Sequence, residues 1–291
     1  MTEFFMRYIQ IRFYFFIVCL SFSFSVEAQK PELIDTAKLK CTYQFKFLTD
    51  STKKEYKEKE LYIVNIGKNF SKGYCYQKFY LDSLLSTDEG RKKWSDKMTE
   101  FAKSWIATGG NDALYETYST QLSPGLFQSF VYKDYKKEKI TVTDNISIHY
   151  FYYEEELKSQ DWTIKKDTMN ILGYSCQKAI CQWRGRDWEA WFTTDIPISE
   201  GPWKFYGLPG LIMKLQDTES HYSFTIIGLQ QVNEPIYMAI KKGSRKTDRL
   251  TFLKLKMGVT GVDLNAMDLE KAGLTPDTEK KRYDDIERDY K

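Results

Sequence analysis

Two histidines, five cysteines and seven tryptophans are the side chains of this 291-residue chain best suited to acid–base, redox or stacking chemistry. His149 and His221 lie far apart in sequence, and no Cys-x-x-Cys pair accompanies them, so no metal motif is visible. His149 sits in an alternating aromatic run, HYFYY, and reads as a hydrogen-bonded strand residue rather than a catalytic base. Glu154-Glu155-Glu156 offers three carboxylates, but neighbours at a strand end point in different directions, which predicts a solvated turn. No serine or cysteine elbow, phosphate loop or paired-carboxylate signature stands out, and no cofactor is implied. An enzyme would need a hydrolytic site assembled from distant strands. Cys41 and Cys75 lie in two strand-like segments and are the candidate disulfide, the other outcome being buried free thiols. Cys176 and Cys181 are five apart on one expected strand and face opposite ways. Aromatic chemistry concentrates in one stretch, with Trp183, Trp188, Trp191, Trp203, Phe205 and Tyr206 as candidate ligand- or partner-binding residues.

The elements that must position these residues are mostly strands. Tyr174 to Trp183 and WEAWFTTDI from Trp188 are aromatic and β-branched, and Arg184-Gly185-Arg186-Asp187 between them contains the glycine of a hairpin turn. Alternation puts Trp188, Ala190 and Phe192 on one face and Glu189, Trp191 and Thr193 on the other. Pro197, Pro202 and Pro209 then exclude a central strand, because proline donates no ladder hydrogen bond. Gly201 and Gly210 flank prolines and can take positive φ where the chain must turn, and Leu208-Pro209-Gly210 suits a type II turn. Strands resume at Leu211 to Leu215 and Tyr222 to Leu229.

The ordered set GYSCQKA, WEAWFTTDIP, GP and Gly207-Leu208-Pro209-Gly210-Leu211-Ile212 resembles the GLPGLI family, secreted proteins of Bacteroidetes. The resemblance covers about the middle fifth of the chain. It implies an exported envelope protein and supplies no catalytic residues. The hexapeptide loop has two readings: a rigid turn returning the chain to the sheet, or a lip that presents Trp203, Phe205 and Tyr206 to a ligand or partner.

Compartment follows from the start of the chain. Arg7 and Arg12 precede an apolar run, FYFFIVCLSFSF, and Val26-Glu27-Ala28 suits cleavage after Ala28, so residues 1–28 read as a signal peptide. The run is shorter than the about 20 residues of a membrane span, and no later run is long enough. A periplasmic or secreted protein without a transmembrane anchor is expected. The 43 basic and 40 acidic residues nearly balance, which argues against a nucleic-acid groove.

Elsewhere, Gln29 to Leu39 reads as a leader. Strands are expected at Cys41 to Leu48, Glu60 to Ile66, Phe70 to Tyr80, Phe127 to Tyr135, Lys139 to Val142 and Ile146 to Tyr153, with Asp144-Asn145 at a turn. Thr87 caps a helix whose stripe is Trp94, Met98, Phe101 and Trp105, expected to cover the sheet. Tyr237 to Lys241 reads as a last strand, Arg249 to Met257 and Ala266 to Ala272 as helical, and residues 271–291 as a polar, exposed tail. The expected fold is β-dominated α+β: residues 29–270 form a large, curved, mostly antiparallel sheet with one covering helix and a helical C-terminal region. That order is similar to the half-barrel of periplasmic lipoprotein-carrier proteins. The leading functional expectation is non-enzymatic binding of an apolar small molecule or lipid in the concave sheet. The alternative is an accessory protein docking on an outer-membrane protein.

Overall fold

The computed structural model describes residues 31–48, 58–109, 127–146, 149–256 and 286–289. The expected signal peptide, the helix over Ala266 to Ala272 and most of the polar tail lie outside the described residues. Twelve strands form a single sheet: β1 (Glu32–Phe47), β2 (Glu58–Ile66), β3 (Phe70–Cys75), β4 (Phe130–Asp134), β5 (Lys139–Ile146), β6 (His149–Glu156), β7 (Thr163–Ile171), β8 (Tyr174–Trp183), β9 (Arg186–Thr193), β10 (Leu211–Asp217), β11 (Tyr222–Met238) and β12 (Arg245–Lys246). Among the described residues, three helices accompany them: α1 (Tyr76–Leu85), α2 (Asp88–Ala107) and α3 (Arg249–Lys256). The sheet order is β12-β6-β5-β4-β3-β2-β1-β11-β10-β9-β8-β7. Every pairing is antiparallel except β12 on β6. The β-dominated α+β class expected from the sequence is the one observed.

The core lies on the face that alternation assigns. Trp188, Ala190 and Phe192 are all fully buried, and β1 contributes Cys41, Tyr43, Phe45 and Phe47 in the same way. Phe45 is the hub of an aromatic cluster, stacked on Phe224 at 4.2 Å and edge-on to Phe127 at 5.1 Å. Such pairs contribute about 0.5–1.5 kcal/mol each beyond burial. The β8–β9 hairpin turns through Arg184 and Gly185, both at positive φ (53° and 75°), as a tight two-residue turn requires.

Several boundaries differ from the sequence reading. The leader from Glu32 is instead the start of β1, paired with β11 out to Met238. Pro235 stands inside that ladder, on the side of β11 that β10 leaves open beyond Thr225. β11 therefore takes in Tyr237 and Met238, and the rest of the strand expected at Tyr237 to Lys241 does not form. Phe70 to Tyr80 is not one strand: it breaks at Cys75 into α1, because YQKFYLDSLL also carries helical spacing. Asp144 and Asn145 are strand residues of β5 rather than a turn. The helix capped by Thr87 forms as expected, with Thr87 Oγ1 accepting from Gly90 N–H at 3.0 Å. It packs on α1 rather than across the sheet, and α1 is the helix seated on β2 and β3.

Curvature is visible in contacts between strands distant in the sheet order. Glu155 on β6 accepts from Arg184, in the β8–β9 turn, at 2.8 Å. Seven strands lie between β6 and β9 in the sheet, so this ion pair requires the two ends to curl toward each other. The 194–210 connection between β9 and β10 runs across the space this curl encloses.

Candidate functional site

The 194–210 connection is a strap, held by hydrogen bonds at both flanks and by two buried cations in its middle. Leu211 N–H donates to Ile196 O at 3.1 Å and Ile212 N–H to Glu200 O at 2.9 Å, closing its base. Tyr43 on β1 donates to Ile212 O at 2.7 Å. The first cation comes from the sheet. Lys133 on β4 is buried and donates to the Glu200 carboxylate, to Gly201 O at 3.0 Å and to Phe205 O at 2.8 Å. All three ammonium protons are thereby used. Tyr135 donates to the other Glu200 oxygen, and Gly201 N–H caps the first at 2.8 Å. Burial lowers the Lys133 pKa, and Glu200 opposes that shift.

The second cation comes from the strap. Lys204 is fully buried and sits 2.6 Å from both Glu155 on β6 and Glu287. Its ammonium also lies 4.9 Å from the Tyr153 ring centre. Burial would lower its pKa, but Glu287 and its neighbours outweigh that and raise it. Thus one strap residue, Glu200, receives a cation from β4, and another, Lys204, delivers one to β6. The two pairs fasten the strap to the half of the sheet opposite its own strands.

The hexapeptide lies at the end of this strap. Gly207 has φ 101°, and a Cβ there would fall within 2.4 Å of the Ser159 Cβ, so glycine is required on both counts. Gly210 is required for space alone: a Cβ would meet the Thr193 carbonyl at 1.9 Å. Neither Gly210 nor Gly201 has positive φ, which corrects the expected type II turn at Leu208-Pro209-Gly210. The left-handed non-glycine residue in the strap is Trp203, at φ 56°. Leu208, Leu211 and Ile212 are buried, and Pro209 is exposed.

The aromatic candidates come together in part. Trp183, Trp188 and Phe205 form one group, with Phe205 4.7 Å from Trp188 and 4.8 Å from Trp183. Trp203 packs 4.7 Å from Phe127. Trp188, Trp203 and Phe205 are buried in these contacts, so the strap presents neither Trp203 nor Phe205 as a lip. Tyr206 is half-buried, stacked 6.4 Å from Tyr135. Trp191 stands on the opposite face with Lys178 over its ring.

The cysteines Cys41, Cys75, Cys176 and Cys181 are buried and free. The expected Cys41–Cys75 bridge fails on register: Cys41 pairs with Val64, Cys75 pairs with Tyr62, and β2 lies between them. Two inter-strand steps of about 4.8 Å exceed the roughly 7 Å that a disulfide spans. Burial pushes the Cys41 thiol far up and that of Cys181 to about 12. Such thiols are poor nucleophiles at neutral pH.

Lys133, Glu200, Lys204 and Glu155 are functional-looking residues that sequence reasoning missed. Glu155 is no solvated turn residue; it accepts from Arg184 and is ion-paired with Lys204, while Glu154 pairs with Lys139 and Lys246. A signal existed in Trp203-Lys204-Phe205, a lysine between two large aromatics in a proline-bounded loop. The expected exposed tail is also corrected: Ile286 and Glu287 are buried. Asp217, Glu219 and His221 bring ligand atoms within 4.8 Å of one another. Asp217 already accepts from Arg186 and from Tyr222 N–H, both at 2.8 Å, and Glu219 from Arg288, so arginines supply the positive charge there.

Large aromatics are exposed on α1. Tyr76, Phe79 and Tyr80 are 44%, 39% and 45% exposed, and Ile106 at the end of α2 is 67% exposed. Beneath them Lys72 is ringed by Tyr74, Phe79, Phe130 and Tyr132, its ammonium 5.2–5.6 Å from each ring centre. Burial lowers its pKa to about 8. No helix among the described residues is long and apolar enough to cross a membrane.

A family model described as "Protein of unknown function (Porph_ging)" matches residues 184–214, from the β8–β9 turn through the hexapeptide into β10. No curated protein matches the sequence. Among solved structures the chain is similar to PNGF-II in its C2 crystal form, with TM-score 0.44 and 15% identity over 76% of this chain. The P21 form gives TM-score 0.43 at the same identity and coverage. The chain spans about a third of the length of those proteins.

Proposed function

We propose that this chain is an exported, non-enzymatic protein of the bacterial cell envelope, of the GLPGLI type, that docks on an outer-membrane protein through the aromatic face of α1. The observation that carries this reading is the division of its aromatics. Trp188, Trp203 and Phe205, which a ligand cavity would need as walls, are spent on the strap. Tyr76, Phe79 and Tyr80 are spaced i, i+3 and i+4 on one helix face and remain exposed. Tyrosine and phenylalanine carry binding energy when a partner desolvates them.

The partner surface is an apolar groove with an acidic rim. Lys241 reaches Asp82 of α1 at 3.4 Å, and exposed Lys242 follows it, which gives the aromatic face a basic border. Photo-crosslinking in living cells tests the docking. A crosslinker at Tyr80 captures one outer-membrane protein, a crosslinker at exposed Leu172 captures none, and Tyr76→Ser with Phe79→Ser abolishes capture. Unchanged capture by that double variant contradicts the reading.

A further inference from the structure

The segment Ile286–Asp289 is held against the body of the protein by burial, ion pairs and a backbone hydrogen bond. Its sequence alternates apolar, acidic, basic and acidic, and the body meets each position with its complement. Ile286 is buried. The Glu287 carboxylate is fully buried, with one oxygen 2.6 Å from Lys204 and the other 2.6 Å from Arg249. Arg288 reaches back to Glu219 at 2.8 and 2.5 Å. Asp289 takes the Arg249 fork at 2.7 and 2.8 Å and lies 3.2 Å from Arg184. The main chain is registered by Arg288 N–H donating to Arg184 O at 2.8 Å.

The receptor surface is assembled from three separate elements. Arg184 comes from the β8–β9 turn, Lys204 from the strap and Arg249 from the first turn of α3. Three cations thus converge where three carboxylates, Glu155, Glu287 and Asp289, lie against them. Glu155 alone belongs to the sheet. Without Glu287 and Asp289 the same surface would hold three cations against the single carboxylate of Glu155, and bidentate arginine is the residue best matched to a carboxylate.

We propose that this surface is a peptide-binding site for an apolar–acidic–basic–acidic segment of a partner protein, and that Ile286–Asp289 occupies it as an internal ligand. Recognition is by charge order: acid into Lys204 and Arg249, base onto Glu219, acid onto Arg249 and Arg184. The Arg288 and Asp289 pairs are partly exposed and are weakened by salt, whereas the buried Lys204–Glu287 pair is screened little. An internal copy competes as an intramolecular ligand, which sets the threshold a partner must exceed.

The test uses the full chain with Glu287→Ala/Asp289→Ala, which vacates the surface while keeping every receptor residue. The probe is a fluorescein-labelled peptide of residues Asp284 to Lys291, with a scrambled peptide as control. The vacated protein binds the probe at least about tenfold more tightly than the wild type, as relief from an internal competitor requires. Arg249→Ala in the vacated background removes that binding, and raising salt weakens it. Equal binding to wild-type and vacated proteins, or none to either while both are folded by near-ultraviolet circular dichroism, overturns the proposal. A concentration-dependent wild-type dimer lost in the vacated variant assigns the surface to a second copy of the chain and overturns the separate partner. Should the vacated variant fail to fold, a protease site placed between Lys256 and Ile286 gives the second measurement. After cleavage, excess unlabelled peptide displaces the released fragment, and a fragment that cannot be displaced overturns the proposal.

Discussion

Lys133 and Glu200 meet where neither can be reached by water, and burial of that kind decides what a substitution does. Removing one partner leaves the other charged and unsatisfied in the core, which costs about 3–5 kcal/mol. Replacing both by apolar residues of similar volume is often close to neutral. Glu200→Ala is therefore expected to lower stability by roughly that 3–5 kcal/mol, and Lys133→Met/Glu200→Leu by much less. Urea unfolding checks this, and equal losses would show that the pair is not acting as an ion pair. Gly207 gives a sharper test of backbone geometry. Gly207→Ala forces a left-handed alanine against Ser159, and strain of this kind costs about 1–3 kcal/mol. Adding Ser159→Gly recovers part of the loss in the same measurement, because it removes the clash and leaves only the φ strain.

At the scale of elements, the strap and the Ile286–Asp289 segment share the Lys204–Glu287 bond. Burial pushes the Glu287 carboxyl up, but Lys204 and Arg249 outweigh it and hold it below its usual range. A carboxyl depressed in the folded state contributes stability above its unfolded value, about 4.3, and that contribution disappears as pH falls through the folded value. Asp289 is depressed in the same direction, burial again being outweighed by Arg249. The hydrogen-exchange protection factor across Ile286–Asp289, taken relative to the intrinsic amide exchange rate at each pH, should hold from neutral pH to about pH 5 and fall below the usual carboxylate range. A protection factor that does not change between pH 7 and pH 3 would contradict the pairing.

The elements also separate what was legible in the sequence from what was not. The β8–β9 hairpin was readable because its alternation and its turn agree. The capped helix α2 was readable for the same reason. Tyr76 to Tyr80 was misread because a short run of aromatics fits either period, and only contacts with β2, β3 and α2 decide between them. The strap's course could not be read at all. It is fixed by Lys133 and Lys204 meeting carboxylates 67 and 83 residues away in the chain, and one-residue charge patterns carry no such range.

For the whole molecule, twelve strands curl until β6 meets the β8–β9 turn, and the enclosed space holds the strap's own Trp203 and Phe205. No covalent link is needed to keep that form, since the four described cysteines are free. Alkylation of the denatured protein without reductant should label all four, and reductant should leave the melting temperature unchanged. A requirement for reductant before labelling would contradict this.

The central claim is that the concave side is filled by the protein itself, leaving α1 as the binding face. The most direct measurement is a native mass spectrum of the protein purified from the cells that make it, followed by organic extraction. The account predicts the bare polypeptide mass and no extractable ligand, for the wild type and for Tyr76→Ser/Phe79→Ser alike. A co-purifying apolar molecule that is lost on Trp203→Ala in a folded protein would contradict it and return the concave face to the role of a carrier.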